Sequence, residues 1–179
     1  MFQDFKPVFL VLLRFIVIYL ALLFAYQFYL NSFDGKEIDL FSMKIAEQVQ
    51  SILNFLNYPT ELYHQKEYET VWFYTKSKYV SRMVEGCNAI SVMILFLAFV
   101  FAFYKGLKTF VFAAIGLVFL YVMNVLRIVG INVLISDHPE YQKIAHDYLF
   151  PAIIYGSVVL LWLIWIKFFA LKNTKTENL

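Results

Sequence analysis

The run LKTFVFAAIGLVFLYVMNVLRIVGINVLI, residues 107–135, carries Lys108 near its start and after that one charged side chain, Arg127. It is longer than the about 20 apolar residues that a helix needs to cross a hydrocarbon core about 30 Å thick. In lipid every backbone N–H and C=O must be satisfied within the segment, so the run reads as a transmembrane helix. Its surplus length allows tilt.

Working outward, three more apolar runs read the same way: residues 8–30, 88–104 and 148–171. The 88–104 run is the shortest, and Lys105-Gly106-Leu107-Lys108 turns it into a tight hairpin with the next. The chain as a whole agrees, with 61% apolar residues, 16% charged and mean hydropathy +0.66, which excludes an ordinary soluble domain. The expected fold class is all-α, an integral membrane bundle of about four transmembrane helices with an amphipathic extracytoplasmic segment, residues 1–179 forming one membrane domain. The single cysteine excludes an intramolecular disulfide. A net charge of +2 offers nothing to nucleic acid, so no nucleic-acid partner is expected.

The first run is too long for the apolar region of a secretory signal, and no small-x-small cleavage site follows Leu30, so it reads as a retained anchor. Lysines in short loops set orientation. Lys6, Lys105, Lys108, Lys167, Lys172 and Lys175 fall on one side, against Lys143 alone on the other. Both termini are therefore expected in the cytoplasm, with residues 31–86 outside. Within that segment Phe41, Ile45, Val49, Ile52, Leu53 and Leu56 recur at helical spacing, which predicts an amphipathic helix along the outer membrane surface, ending near Asn57-Tyr58-Pro59. The Val71-Trp72-Phe73-Tyr74 run reads equally as strand, interfacial anchor or lid.

Ionisable groups inside a span are costly and call for a partner or a function. Arg14 is near a helix end and can snorkel, and Gln27 is interfacial. Arg127 is different: it precedes Ile135 by eight residues, about 12 Å at 1.5 Å per residue, and shares a helix face with Asn124. Cys87 immediately precedes the second run and His146 the fourth. Because the second and fourth spans start where the third ends, Cys87, His146 and the outer part of the Arg127 helix lie on one side of the membrane. Together they match the parts of thiol acyl transfer: a nucleophile whose thiolate a helix N-terminus and a cation favour, a base near neutrality, and fixed donors for an oxyanion. Each alone has an ordinary reading, namely a packed cysteine, a capping histidine and a helix-gluing arginine. No metal or cofactor is expected, since His138 and His146 are separated by Pro139 with no ligand motif around them, and neither a phosphate loop nor a Gly-x-Ser-x-Gly elbow is present. Asp147 and Asp137 are left out of the site, because neighbours in sequence do not share a helix face.

At Glu85-Gly86-Cys87-Asn88-Ala89, Asn124-Val125-Leu126-Arg127-Ile128 and His146 the chain resembles the exosortase and archaeosortase family of membrane cysteine transpeptidases, and is similar in size to the short F-type exosortases of Bacteroidetes. Family motifs read Glu-Ala-Cys-Ser-Gly, Asn-x-x-Arg-Ile and a later His; Asn88-Ala89 stands here where the family has Ser-Gly. The resemblance covers residues 85–161. It implies Cys87 as nucleophile, Arg127 as transition-state arginine and His146 as the proton-transfer residue, with Glu85 and Asn124 in support, Glu85 orienting the site or holding Arg127. It further implies substrates that are secreted proteins with a C-terminal sorting signal, cut and passed to a surface acceptor at the extracytoplasmic face of a bacterial inner membrane. With about four spans, the chain stands as a minimal core or works with a companion membrane protein. Two other readings stay open: a non-catalytic membrane subunit or small transporter in which Arg127 binds an anion or a partner helix, and a helix-bundle scaffold.

Overall fold

The computed structural model describes residues 2–33, 38–65 and 69–170. Lys172 and Lys175, and the side chains of Lys6 and Glu85, lie outside the described residues. Six α-helices and a small sheet follow in the order α1 (Phe2–Asn31), α2 (Leu40–Phe55), β1 (Thr60–Gln65), β2 (Thr70–Thr75), β3 (Lys78–Met83), α3 (Ile90–Ala102), α4 (Leu107–Asp137), α5 (Gln142–Ile144) and α6 (Phe150–Trp165). Among the described residues three helices are long and apolar enough to cross a membrane: Val8–Asn31, Leu107–Asp137 and the continuous helical run Pro139–Phe169. The fourth expected span is the shorter apolar helix Ile90–Ala102, about 20 Å at 1.5 Å per residue. It packs against α1 on one side and α4 and α6 on the other. The architecture is an all-α integral membrane bundle, with the sheet as an insertion between α2 and α3.

Two apolar clusters organise it. One joins α3, α4 and α6 through Phe96, Val100, Leu120, Ile154, Val158 and Trp165. Its α3–α4 contact depends on Gly116, where an added Cβ would stand 2.2 Å from the Phe96 ring. The other joins α2, the sheet and the C-terminal half of α4 through Ile45, Val49, Leu53, Val71, Phe73, Met83, Val125, Ile128 and Val129. At about 1.5 Å per residue, the 31 residues of α4 run about 46 Å, more than a bilayer core requires. The excess carries α2 and the sheet.

The expected amphipathic helix forms as α2, capped by Asp39, whose carboxylate accepts from the N–H groups of Phe41 and Ser42 at 3.0 and 3.1 Å. The destination of its apolar stripe differs from the expectation. Ile45, Ala46, Val49 and Leu53 are fully buried against α4 and the sheet, not turned to the membrane surface. A protein partner at closer packing density replaces lipid along that stripe.

The open choice at residues 71–74 resolves as the central strand of an antiparallel sheet ordered β1-β2-β3. Val71 and Phe73 face the core, while Tyr74 joins Tyr63 and Tyr79 in an aromatic cluster on the other face. The β2–β3 turn is Lys76-Ser77, both at positive φ (54° and 61°), the geometry of a two-residue hairpin loop. A three-way clasp fastens this turn to the end of α4. The Tyr58 hydroxyl donates to Asp137, Lys76 Nζ lies 3.1 Å from the same carboxylate, and the ammonium stands 4.3 Å over the Tyr58 ring. The hydrogen bond to the Asp137 carboxylate holds the Tyr58 hydroxyl above its ordinary pKa.

Candidate functional site

Between the sheet and the start of the last helical run lies a cavity of about 670 Å³, lined by Cys87, Arg127 and His146 among others. Three residues spread over 60 positions of sequence thus face one space. Each arrives there for a local reason.

Cys87 sits in the 3-10 turn Glu85–Asn88 that joins the end of β3 to α3. Its main-chain carbonyl accepts from Asn124 Nδ2 at 3.1 Å and from Arg127 Nη2 at 3.3 Å. Asn124 and Arg127, three apart on α4, meet the same acceptor because i and i+3 share a helix face. Asn88 ties the turn on the other side. Its side-chain amide donates to Tyr26 Oη at 2.8 Å and Ser42 Oγ at 3.0 Å, while its oxygen accepts from the Ile90 N–H at 2.9 Å. The turn is thereby held by α1, α2, α3 and α4 at once. Asn in place of the family's serine fits this duty, since it offers two donors and an acceptor.

Ala89 adopts the left-handed conformation, φ 61° and ψ 11°, where a Cβ is strained and glycine is not. The family's glycine falls at this position. Ala89→Gly is expected to stabilise the fold by about 1 kcal/mol once the extra unfolded-state entropy of glycine is set against the relieved strain. That corresponds to a rise of about 2–4 °C in the thermal midpoint, measured on detergent-purified protein. A midpoint that falls would show the strain to be balanced by contacts of the methyl group, which is buried.

Arg127 is only partly buried; the protein cavity, not lipid, receives its guanidinium. Its Nε is buried without a hydrogen-bond partner among the described residues, so the guanidinium keeps donor capacity after binding the Cys87 carbonyl. The next polar residue toward the helix end, Asn132, is engaged elsewhere: its oxygen accepts from Ser81 Oγ of β3 at 2.8 Å.

His146 lies in Ala145–Leu149, a stretch wound as π-helix. Pro151 explains the winding, since it has no N–H for the carbonyl of Asp147 four residues earlier and its ring crowds that carbonyl. Asp147 corrects the sequence reading. Its Oδ1 stands 3.2 Å from His146 Nδ1, and it lines the same cavity. Two exposed side chains adjacent in sequence can meet at their tips without sharing a helix face. This contact favours the proton on Nδ1 and leaves Nε2 as the basic nitrogen. His138 and Asp137 do not pair. His138 meets Glu140 at 3.2 Å, and Asp137 is taken by the Tyr58–Lys76 clasp.

The sequence reading also missed Arg82 and Lys143, two cations on the cavity wall. Arg82 comes from β3, and only the strand pairing places it there. Chemically, a thiol, an imidazole with one basic nitrogen and a guanidinium with spare donors around one space are the parts of nucleophilic acyl transfer. Searches of the curated proteins and of the solved structures return no match. A family model described as transmembrane exosortase matches residues 2–169, nearly the whole described chain and every residue of this cavity; the chain belongs to the transmembrane exosortase family.

Proposed function

We propose that the protein is a membrane cysteine transpeptidase that cleaves a C-terminal sorting signal of secreted proteins and transfers the new C-terminus to a surface acceptor. The observation that carries this reading is the convergence of Cys87, Arg127 and His146 on one cavity from three separate elements. In the first half-reaction the Cys87 thiol passes its proton to His146 Nε2, and the sulfur attacks the scissile carbonyl carbon. The oxyanion that forms takes hydrogen bonds from the unused N–H groups of Arg127. The C–N bond then breaks, the leaving amine takes the proton from His146, and a thioester to Cys87 remains. In the second half-reaction an acceptor nucleophile gives its proton to His146 and attacks the thioester, and the thiol re-forms. Asn124 and Asp147 act by position, one on the Cys87 turn and the other on the imidazole.

The enzyme works in the bacterial inner membrane with the cavity facing outward, as the excess of lysines at the opposite helix ends supports. From the Lys105–Lys108 turn at the cytoplasmic surface, the about 20 Å of α3 leaves Cys87 recessed below the outer surface. There the residues flanking a substrate's transmembrane segment would arrive. The test is labelling of intact cells with a polar thiol reagent that does not cross membranes. Cys87 is expected to react from outside, faster than a model thiol, and His146→Ala is expected to slow the reaction at least tenfold. A slow reaction indifferent to His146 would identify a merely packed cysteine and overturn the proposal.

A further inference from the structure

β3 is an edge strand. It pairs with β2 alone, and among the described residues no backbone hydrogen bond reaches its outer side. The pairing phase follows from the hairpin. Thr75↔Lys78 flanks the two-residue loop and is the hydrogen-bonded pair, so the next pair, Tyr74↔Tyr79, turns the Tyr79 N–H and C=O outward. Among the described residues no strand pairs with this side; a bulge that leaves Val80 without a partner, together with Lys78 and Arg82, is what guards the edge against indiscriminate pairing. A second cavity of about 250 Å³ borders it, sharing Tyr79, Ile135, Pro139 and Gln142 with the 670 Å³ cavity that holds Cys87. The two form one trough between β3 and the Pro139–Tyr141 arm, running from the hairpin turn to the cysteine. Six strand residues at about 3.3 Å each make an edge about 20 Å long.

Resting on the peptidase reading above, we propose that the segment flanking the scissile bond binds as an added strand along β3, an extended polypeptide in this trough that ends at Cys87. Main-chain pairing holds such a segment straight and delivers a particular peptide bond to a fixed point, while side chains alternate between the trough and solvent. The occupant is polypeptide because the outward N–H and C=O groups of Tyr79 and, past the bulge at Val80, of Arg82 match another backbone, and the trough continues to a thiol with an acyl-transfer partner set.

The test uses the full-length protein in cells, reading cleavage of the precursor that accumulates when Cys87 is replaced by alanine. Tyr79→Ala and Tyr79→Pro remove the same aromatic contacts, but only proline removes the outward N–H, and an edge position tolerates it. Tyr79→Pro is expected to cleave at least tenfold more slowly than Tyr79→Ala, with outside labelling of Cys87 unchanged in both. Equal cleavage by the two variants, with Cys87→Ala inactive, would overturn strand addition and leave the peptidase reading standing. Normal cleavage by Cys87→Ala would overturn that reading itself, and the proposal with it. Should Tyr79→Pro lose insertion or labelling, a photo-crosslinking phenylalanine analogue decides, placed at Tyr79 or, as control, at Tyr63 on the opposite edge strand of the sheet in the Cys87→Ala protein. Precursor captured from Tyr79 and not from Tyr63 supports the proposal. Lipid alone, no adduct, or equal capture from both overturns it.

Discussion

Replacing Cys87 with alanine is expected to abolish processing of the sorting-signal precursor, a loss of about 10⁴-fold or more on the scale of nucleophile removal in acyl-transfer enzymes, while the protein still folds and inserts. The fold survives because the contacts that hold the Cys87 turn are made by its main chain. The carbonyl bonds from Asn124 and Arg127 do not depend on the sulfur, and Asn88 keeps its own bonds to Tyr26 and Ser42. What is lost is one partly buried sulfur packed at the rim of the α2–sheet–α4 cluster, a cost of about 1 kcal/mol at a site that can relax. Immunoblots of a secreted substrate in cells carrying the variant would show the longer precursor retained. Normal processing would rule out a thiol mechanism.

Arg127 carries the second large effect. Arg127→Ala removes a donor to the Cys87 carbonyl and the cationic donors proposed for the oxyanion, and processing is expected to fall about 10²–10³-fold. Two companions separate these roles. Asn124→Ala removes the other donor to the same carbonyl but no charge, and should cost about tenfold if the arginine does more than hold the turn. Arg127→Lys restores the charge without the planar fork, and should recover only part of the loss. Equal losses in Asn124→Ala and Arg127→Ala would reduce Arg127 to a positioning residue. A damaging Arg127→Ala with a silent Cys87→Ala would instead favour the subunit or transporter reading, in which the arginine binds an anion or a partner helix.

The membrane class, the helices and the pairing of Asn124 with Arg127 were legible in the chain, because each depends on neighbours within a few residues: apolar length, helical period, and the shared face of i and i+3. The stop of α2 before Pro59 is of the same kind. The position of Ala89 was legible as a departure from a family glycine, but its meaning came from the left-handed turn that the backbone makes there.

What the tertiary structure decided concerns partners far apart in sequence. Apolar periodicity says that Ile45, Val49 and Leu53 need cover; it does not say whether lipid or protein supplies it, and the answer is the C-terminal half of α4 together with β2 and β3. The same packing alters the environment of Arg127. Length alone placed it about 12 Å inside a span, where lipid would make it expensive. In the fold its helix end is wrapped by α2 and the sheet, and its guanidinium meets a carbonyl and a cavity. Arg82 and Tyr79 enter the site through strand register, and a one-residue slip would turn both away. Asp147 enters through the tip of its side chain, which helical geometry alone does not predict. Local physics determined the parts; long-range packing determined which of them share a space, because burial can be satisfied by several partners and only the folded chain selects one.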